Sequence, residues 1–368
     1  MKKLRLLPAV LGLMAIFSSC QKESMNNPVT DNNNEAQLRS EANQATARKN
    51  SEAADFQAQW KQQIESNRNP RTITETAISL PIFKSLVAAV VKTDLAGVLA
   101  TPGLNATVFA PTDAAFAKLP TPFNNASNIN AISDPAQIAA LKNILLYHVL
   151  GTQVTSNQIP SGSSNAVTLK PAGSANDNTI YFSKNFGVLL VNGNSLVLLP
   201  NVAASNGVIH VIDDVLLPPS QTIAEIAIGN PAFSSLVAAL VKTNLAGVFT
   251  GAGDFTVFAP TDAAFAQLPA PFNNASNIGN ITDPAQISAL SNILRYHVVA
   301  GRSFAWDLGF FRRIATLADG SNNKVTGVLG LNGGYVKGNQ NNGYARISPA
   351  NILAVNGVVH VIDKVLLP

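Results

Sequence analysis

The side chains able to move a proton or hold a metal are few. Four histidines, His148, His210, His297 and His360, supply all the imidazoles, and Cys20 is the single thiol. A zinc site needs several N or S donors converging on one point, but neither HxxxH nor HExxH spacing occurs and no second Cys is present. Ser, His and Asp all occur, as a nucleophilic triad requires, yet no GxSxG elbow presents a serine at a strand end. Asp213-Asp214 could act as a carboxylate pair in acid–base chemistry. The stretches NGNS and LNGGY read as turns, not as phosphate loops.

The elements that must position these groups come as an internal duplication. SLVAAVVKTDLAGV, 85–98, recurs as SLVAALVKTNLAGV, 235–248, with 12 of 14 positions identical. TVFAPTDAAFAKLPTPFNNASNI, 107–129, recurs at 256–278 with 21 of 23 identical, and NGVIHVIDDVLLP, 206–218, recurs at 356–368 with 11 of 13 identical. An offset of 149 or 150 residues makes each copy a domain and not a solenoid unit. Pro218, Pro219 and Ser220 form a short, stiff junction between them.

Comparison of the copies decides between chemistry and structure. Asp213-Asp214 becomes Asp363-Lys364 in the second copy, so no shared carboxylate pair exists. His210 and His360 lie in strands that are apolar on both faces, which predicts buried, neutral, hydrogen-bonded imidazoles. Thr112-Asp113 and Thr261-Asp262 open helices, where the hydroxyl caps and the carboxylate complements the dipole. These six residues are read as structural. No catalytic set, metal site or cofactor is expected, and the chain reads as a non-enzyme.

Within a copy, Phe83, Leu86, Val87, Val90 and Val91 follow a helical period, and Thr107 to Ala110 form a short apolar strand. Asp134 as N-cap with Pro135 after it opens a helix running to His148. TIYF, VLLV, LVLL and VIHVID then read as strands separated by Asn- or Gly-containing turns. Helices followed by strands predict an α+β domain, its helices against an antiparallel sheet or sandwich.

The TVFAPTDAAF box, the Tyr-His pairs Tyr147-His148 and Tyr296-His297, and the terminal NGVIHVIDDVLLP box together resemble the fasciclin-like domain family, over about 73–368 and in both copies. The resemblance implies two tandem fasciclin-like domains, each a wedge-shaped β-sandwich with packed helices, in secreted or membrane-anchored proteins that mediate adhesion and matrix contact. In animal members the Tyr-His element is associated with integrin contact. This implies Tyr147, His148, Tyr296 and His297 as a candidate partner surface, although packing of the helix end by the same residues is the favoured reading, since branched apolar neighbours usually belong to the core.

The copies differ most between 300 and 351, where the second has Arg302, Trp306, Arg312, Arg313, Tyr335 and Tyr344, with Phe304, Phe310 and Phe311. Trp, Tyr and Arg are enriched in binding hot spots, so this region is the second candidate partner surface. Repacked core with a long surface hairpin is the competing account.

With 46% hydrophobic and 12% charged residues, the chain can fill cores and is not a disordered polyampholyte. Of its formal charge of +4, Lys2, Lys3 and Arg5 account for three, and no basic run suits nucleic acid. Those residues open MKKLRLLPAVLGLMAIFSSC, a basic then apolar export signal whose end resembles a bacterial lipobox, with Cys20 as the lipidated residue. We therefore expect a signal peptide at 1–19, a lipidated Cys and flexible tether at 20–71, and fasciclin-like domains at 72–218 and 219–368. Within the tether, Ser51 as N-cap and Phe56, Trp60 and Ile64 at a spacing of four predict a short helix.

The expected protein is a cell-envelope adhesion or surface-interaction protein, lipid-anchored to the outer membrane through Cys20, facing outside or periplasm. Its partner is a protein or a glycan, with no nucleic acid and no metal. A glycan-binding accessory lipoprotein without catalysis is the alternative.

Overall fold

The computed structural model describes residues 35–65, 71–251, 253–330 and 333–368. The expected signal peptide and Cys20 lie outside the described residues. The first described element is a helix, α1 (Glu35–Glu65). The first domain follows with α2 (Ile73–Ser79), α3 (Lys84–Lys92), α4 (Ala96–Leu99), β1 (Ala106–Pro111), α5 (Asp113–Phe116), α6 (Ala126–Ala131) and α7 (Pro135–Tyr147). Its strands continue as β2 (Val149–Leu150), β3 (Gly162–Val167), β4 (Thr179–Asn185), β5 (Val188–Val191), β6 (Ser195–Ala204) and β7 (Gly207–Ile212).

The second domain repeats the plan with α8 (Ile223–Gly229), α9 (Ser234–Lys242), β8 (Phe255–Pro260), α10 (Asp262–Phe265), α11 (Ala275–Gly279), α12 (Pro284–Tyr296) and β9 (Val298–Ala300). It ends with β10 (Arg312–Ala315), β11 (Lys324–Val328), β12 (Tyr335–Lys337), β13 (Ala345–Arg346), β14 (Ile352–Ala354) and β15 (Gly357–Ile362).

Local chemistry sets the helix starts. Thr72 accepts from the Glu75 amide while the Glu75 carboxylate accepts from the Thr72 amide, a reciprocal box repeated at Thr222 and Glu225. Asp134 and Asp283 accept from the amides of Ala136 and Ala285, with Pro135 and Pro284 at the first helical position.

The strands of the first domain form one sheet in the order β2-β1-β7-β6-β5-β4-β3. Contrary to the antiparallel expectation, its β1–β7 pair is parallel, as is β8–β15. The last strand of each domain arrives after the helices and inserts beside the first, running the same way. In the second domain the sheet is split into β14-β15-β8-β9 and β10-β11-β12-β13, joined by an isolated bridge between Ile347 and Ile362. Pro349, without an N–H for a ladder, lies between β13 and β14.

Each domain has two apolar layers. The helices pack Phe83, Leu86, Phe116, Leu141 and Leu145 onto Ile209 and Val211, and the opposite face of the sheet closes over Phe109, Tyr147, Ile180, Phe182 and Ile212. Phe233, Leu236, Phe265 and Leu290, then Phe258, Tyr296, Val325 and Val336, repeat the two layers in the second domain. Burial of such a side chain contributes about 1.5–3 kcal/mol.

The expected tether is corrected over 35–65, where α1 is 31 residues long and docked on both domains. Its sequence is rich in Ala, Glu, Gln, Lys and Arg and has no Pro or Gly, so helix propensity is high. Ser51 is an interior residue of it, not an N-cap. The buried seam is Leu38, Ala42 and Ala45, continued by Ala53 and Phe56, a narrow stripe built largely from alanines. Leu38 meets Val328 and Tyr344 of the second domain, whereas Phe56 and Gln57 reach the first, with the Gln57 amide donating to Leu198 O at 3.1 Å. An Arg at position 45, which is 4% exposed, must force α1 off this surface. Ala45→Arg is expected to cost about 1–3 kcal/mol of docking. Faster tryptic cleavage after Arg48 and Lys49, with each domain's core intact, is the outcome that checks it; unchanged cleavage rejects the docked helix.

Candidate functional site

Tyr147 and Tyr296 end α7 and α12, and both rings are fully buried. The Tyr147 hydroxyl donates to Thr179 O at 2.7 Å and accepts from the Asn192 amide at 3.2 Å. The Tyr296 hydroxyl donates to Lys324 O at 2.6 Å and accepts from the Asn339 N–H at 3.1 Å. Burial raises both phenols above their usual range, with the Asn192 and Asn339 contacts working the other way.

The adjoining imidazoles are held by main chain alone. His148 Nδ1 lies 2.7 Å from Ile144 O, and its Nε2 accepts from the Leu216 N–H at 2.9 Å, which fixes the neutral tautomer with the proton on Nδ1. His297 repeats this with Ile293 O at 2.8 Å and the Leu366 N–H at 2.8 Å. His210 and His360 take the opposite tautomer. Their Nδ1 atoms accept from the Asn201 and Asn351 N–H groups, both at 3.2 Å, and their Nε2–H groups donate to Val154 O and Ser303 O, both at 2.9 Å. Burial lowers all four pKa values, those of His148, His297 and His360 to about 4.

Apolar crevices of about 30 Å³ over His148 and about 20 Å³ over His297 hold little more than water. The Tyr-His elements, placed on a candidate partner surface by resemblance, are therefore corrected to interior positions: a Tyr-His pair at a helix end satisfies buried carbonyl and amide groups that water cannot reach.

Thr112 and Thr261 cap their helices as expected, accepting from the Ala115 and Ala264 amides at 3.2 and 3.3 Å. Asp113 and Asp262 do more than complement their own helices. They accept from the amides of Ser85 and Ser235, each at 2.7 Å, tying α5 to the start of α3 and α10 to that of α9. Asp213 accepts from the Leu196 N–H at 2.6 Å, and Asp214 pairs with Lys118 at 2.6 Å, so the two carboxylates do different work.

The second candidate region falls largely on the seam between the domains. The Arg302 side chain is 3% exposed and pairs with Asp254 at 2.9 Å. It donates to Ala354 O, Val355 O and Gly357 O, and its guanidinium stacks 4.5 Å from the Tyr181 ring of the first domain. Trp306 is buried among Val188, Leu190, Leu196 and α1, and its indole N–H donates to Asn185 O at 3.4 Å. Asp307 accepts from Ser183 Oγ at 3.0 Å, and the Asn351 amide donates to Gly193 O at 3.0 Å. Gly193 has φ +76°, and a side chain there would meet Phe304 and Asn351.

Tyr344 is buried against Leu38, and the half-buried Tyr335 donates its hydroxyl to Glu41 at 2.7 Å. Arg302, Trp306 and Tyr344 are thus corrected from partner contacts to internal ones, with Tyr335 bonded to α1. The aromatic and Arg enrichment typical of binding hot spots serves here to join two domains and a helix of one chain. Arg312 and Arg313 alone of that set are exposed.

Two surfaces missed in the sequence emerge from packing. A cavity of about 360 Å³ opens where α1 meets both domains, lined by Arg48, Lys49, Glu52, Asn194, Trp306 and Asn351 among others. The helical side of each domain exposes an equivalent aliphatic trio, Ile78, Val91 and Val98 in the first and Ile228, Val241 and Val248 in the second. Val91 lies on the helical period used to predict α3, and only the packing shows that it is left outside.

A fasciclin domain model matches residues 81–218 and 231–368. Protein sll1483 of Synechocystis sp. is 35% identical over 164 residues, 43% of this chain and 79% of that protein. Transforming growth factor-beta-induced protein ig-h3 of Sus scrofa is 29% identical over 264 residues, covering 71% of this chain but 34% of its own length. The cell surface glycolipoprotein MPB83 of Mycobacterium bovis is 32% identical over 155 residues, 40% of this chain and 60% of its own. The chain thus spans about a third of ig-h3.

Proposed function

Since the chain belongs to the fasciclin domain family and carries that domain twice in tandem, we propose that it is a non-catalytic adhesion or surface-interaction protein of the cell envelope, anchored through a lipid on Cys20. Fasciclin domains occur in adhesion and cell-surface proteins. The observation that carries the reading is the aliphatic trio repeated on both domains, Ile228 reaching 72% exposure, beside histidines that are all engaged by main chain. Exposed apolar side chains presented twice by one molecule suit bivalent contact with a protein or matrix partner. We assign 1–19 as signal peptide, 20–71 as lipidated Cys and tether, here amended to include α1, and 72–218 and 219–368 as the domains. The location is the outer membrane, on its outer or periplasmic face.

The test compares intact cells making the wild-type chain or Cys20→Ala. Protease should remove the wild-type protein from intact cells, while the variant appears in periplasm or medium. Val91→Glu with Val241→Glu should lower attachment to matrix-coated surfaces by about tenfold without changing surface level, the equivalent of about 1.4 kcal/mol. Attachment equal to wild type in that double variant rejects the proposed contact face.

The cavity beside α1, with a mixed polar and apolar lining, favours a second reading, a glycan-binding accessory protein, since Arg, Lys, Glu and Asn side chains suit sugar hydroxyls. Binding to a polysaccharide array that survives the valine substitutions and fails in Asn194→Ala supports it over protein adhesion.

A further inference from the structure

The β10–β13 sheet has a feature absent from its counterpart in the first domain. Its strands contain Arg312, Arg313, Lys324, Lys337 and Arg346 and no acidic residue, whereas β3–β6 contain Lys184 alone. The Lys184 ammonium is occupied by Ser156 O and Ile159 O.

Register places four of the five on one face. Arg313 pairs with Thr326 and Thr326 with Lys337, while Ala315 pairs with Lys324 and Tyr335 with Arg346. Side chains alternate along a strand, so Arg313, Lys324, Lys337 and Arg346 share the outer face, and Ile314, Val325, Val336 and Ala345 share the inner one that packs on the core. Arg313, Lys324 and Arg346 are exposed and Lys337 half-exposed. None of the four lies in an ion pair among the described residues. Asn339 accepts from Arg313 at 3.4 Å, and the Lys337 ammonium sits 5.6 Å from the Tyr344 ring. Glu35, Glu41 and Asp363 are nearby carboxylates, Glu35 close enough to act on Tyr344, Glu41 bonded to Tyr335 and Asp363 to the Arg346 amide.

The start of α1 rests at one end of this same face, with Leu38 against Val328, Tyr344 and Tyr335. Residues 21–34 separate Cys20 from α1. They span at most about 50 Å, against roughly 170 Å for a tether continuing to residue 71. A lipid on Cys20 is therefore held within about 50 Å of this basic face. We infer that the outer face of the β10–β13 sheet docks on an anionic lipid bilayer, so that the second domain is the membrane-proximal one. This rests on the anchored reading above, and the charge complementarity and the short reach from Cys20 both favour lipid as the occupant.

The test uses the full chain with Cys20→Ser, purified without lipid, and vesicles of phosphatidylcholine with or without about one-third phosphatidylglycerol, read by co-sedimentation. One basic residue at an anionic surface contributes on the order of fivefold in partitioning, so the face should give at least about 100-fold preference for anionic vesicles, lost at high salt. Arg313→Gln with Lys324→Gln, Lys337→Gln and Arg346→Gln should abolish it. The pair Arg313→Gln and Lys324→Gln, with no packing role, should remove at least tenfold, while Lys84→Gln with Lys142→Gln in the first domain should leave it intact.

No preference for anionic vesicles overturns the inference, as does a preference that the substitutions leave unchanged. Binding to dextran sulfate without vesicle binding also overturns it and reassigns the face to an acidic polysaccharide. Labelling of the wild-type chain with radioactive palmitate reports separately on the anchor, so failure of lipidation is distinguishable from failure of the docking face.

Discussion

Tyr147→Ala is expected to unfold the first domain or to remove about 3–5 kcal/mol of its stability, because it empties a fully buried site between sheet and helix. Tyr147→Phe keeps the packing and strands only the polar partners. It leaves Thr179 O and the Asn192 amide without their hydroxyl and should cost about 1–3 kcal/mol. Tyr296→Ala and Tyr296→Phe should repeat the pattern in the second domain, where Lys324 O and the Asn339 N–H lose their partner. Urea denaturation of each variant checks this. A surface role for the Tyr-His element requires the opposite outcome, with Tyr147→Ala as stable as wild type and defective only in partner binding.

The second large effect is acid lability. His148, His297 and His360 have folded-state pKa values of about 4 against an ordinary 6.5, so the unfolded chain takes up protons first as pH falls. Stability present above pH 6.5 is lost progressively down to about pH 4, by roughly 3 kcal/mol for each of these histidines. His210 acts in the same direction. Asp213 has the opposite sign, since burial and the neighbouring Asp214 raise it to about 6 and the fold gains as pH falls through that value. Asp307 and Asp363, raised chiefly by burial, also oppose the loss.

At still lower pH Asp177 and Asp262 add to the loss. Burial works to raise both, but the Lys170 ammonium with the Gly173 amide, and the Ser235 amide with the Ser234 hydroxyl, hold them below the usual range. The balance differs between the domains: in the first, Asp213 offsets much of the loss from His148, whereas in the second His297 and His360 together are expected to outweigh Asp307 and Asp363 and remove several kcal/mol between pH 7 and 4.5, a large part of that domain's total. A urea midpoint that stays level over that interval refutes it, and imidazole proton resonances holding their neutral positions down to about pH 5 support it.

Much of this was legible in the sequence for identifiable reasons. The duplication, the capping residues Thr112, Thr261 and Asp134, and the strands around His210 depend on neighbours within a few positions, where side-chain period and hydrogen-bond reach are local. The parallel β1–β7 pair was not legible, since it joins residues 101 positions apart, Ala106 with Gly207. Nor was the docking of α1. Its buried seam is made largely of alanines, whose small side chains give a weak apolar signal yet permit close approach to Leu190, Leu196 and Trp306.

The candidate residues divide along the same line. Sequence by itself determined that His210 and His360 are buried, because each lies in a strand apolar on both faces, and that no acid–base pair is shared, because Asp214 is answered by Lys364. Tertiary structure alone decided that Arg302, Trp306 and Tyr344 face inward, and that Arg313, Lys324, Lys337 and Arg346 share an outer face. A residue type records what a side chain can bond; which partner it meets depends on the register and packing of segments distant in the chain, and burial follows from that meeting.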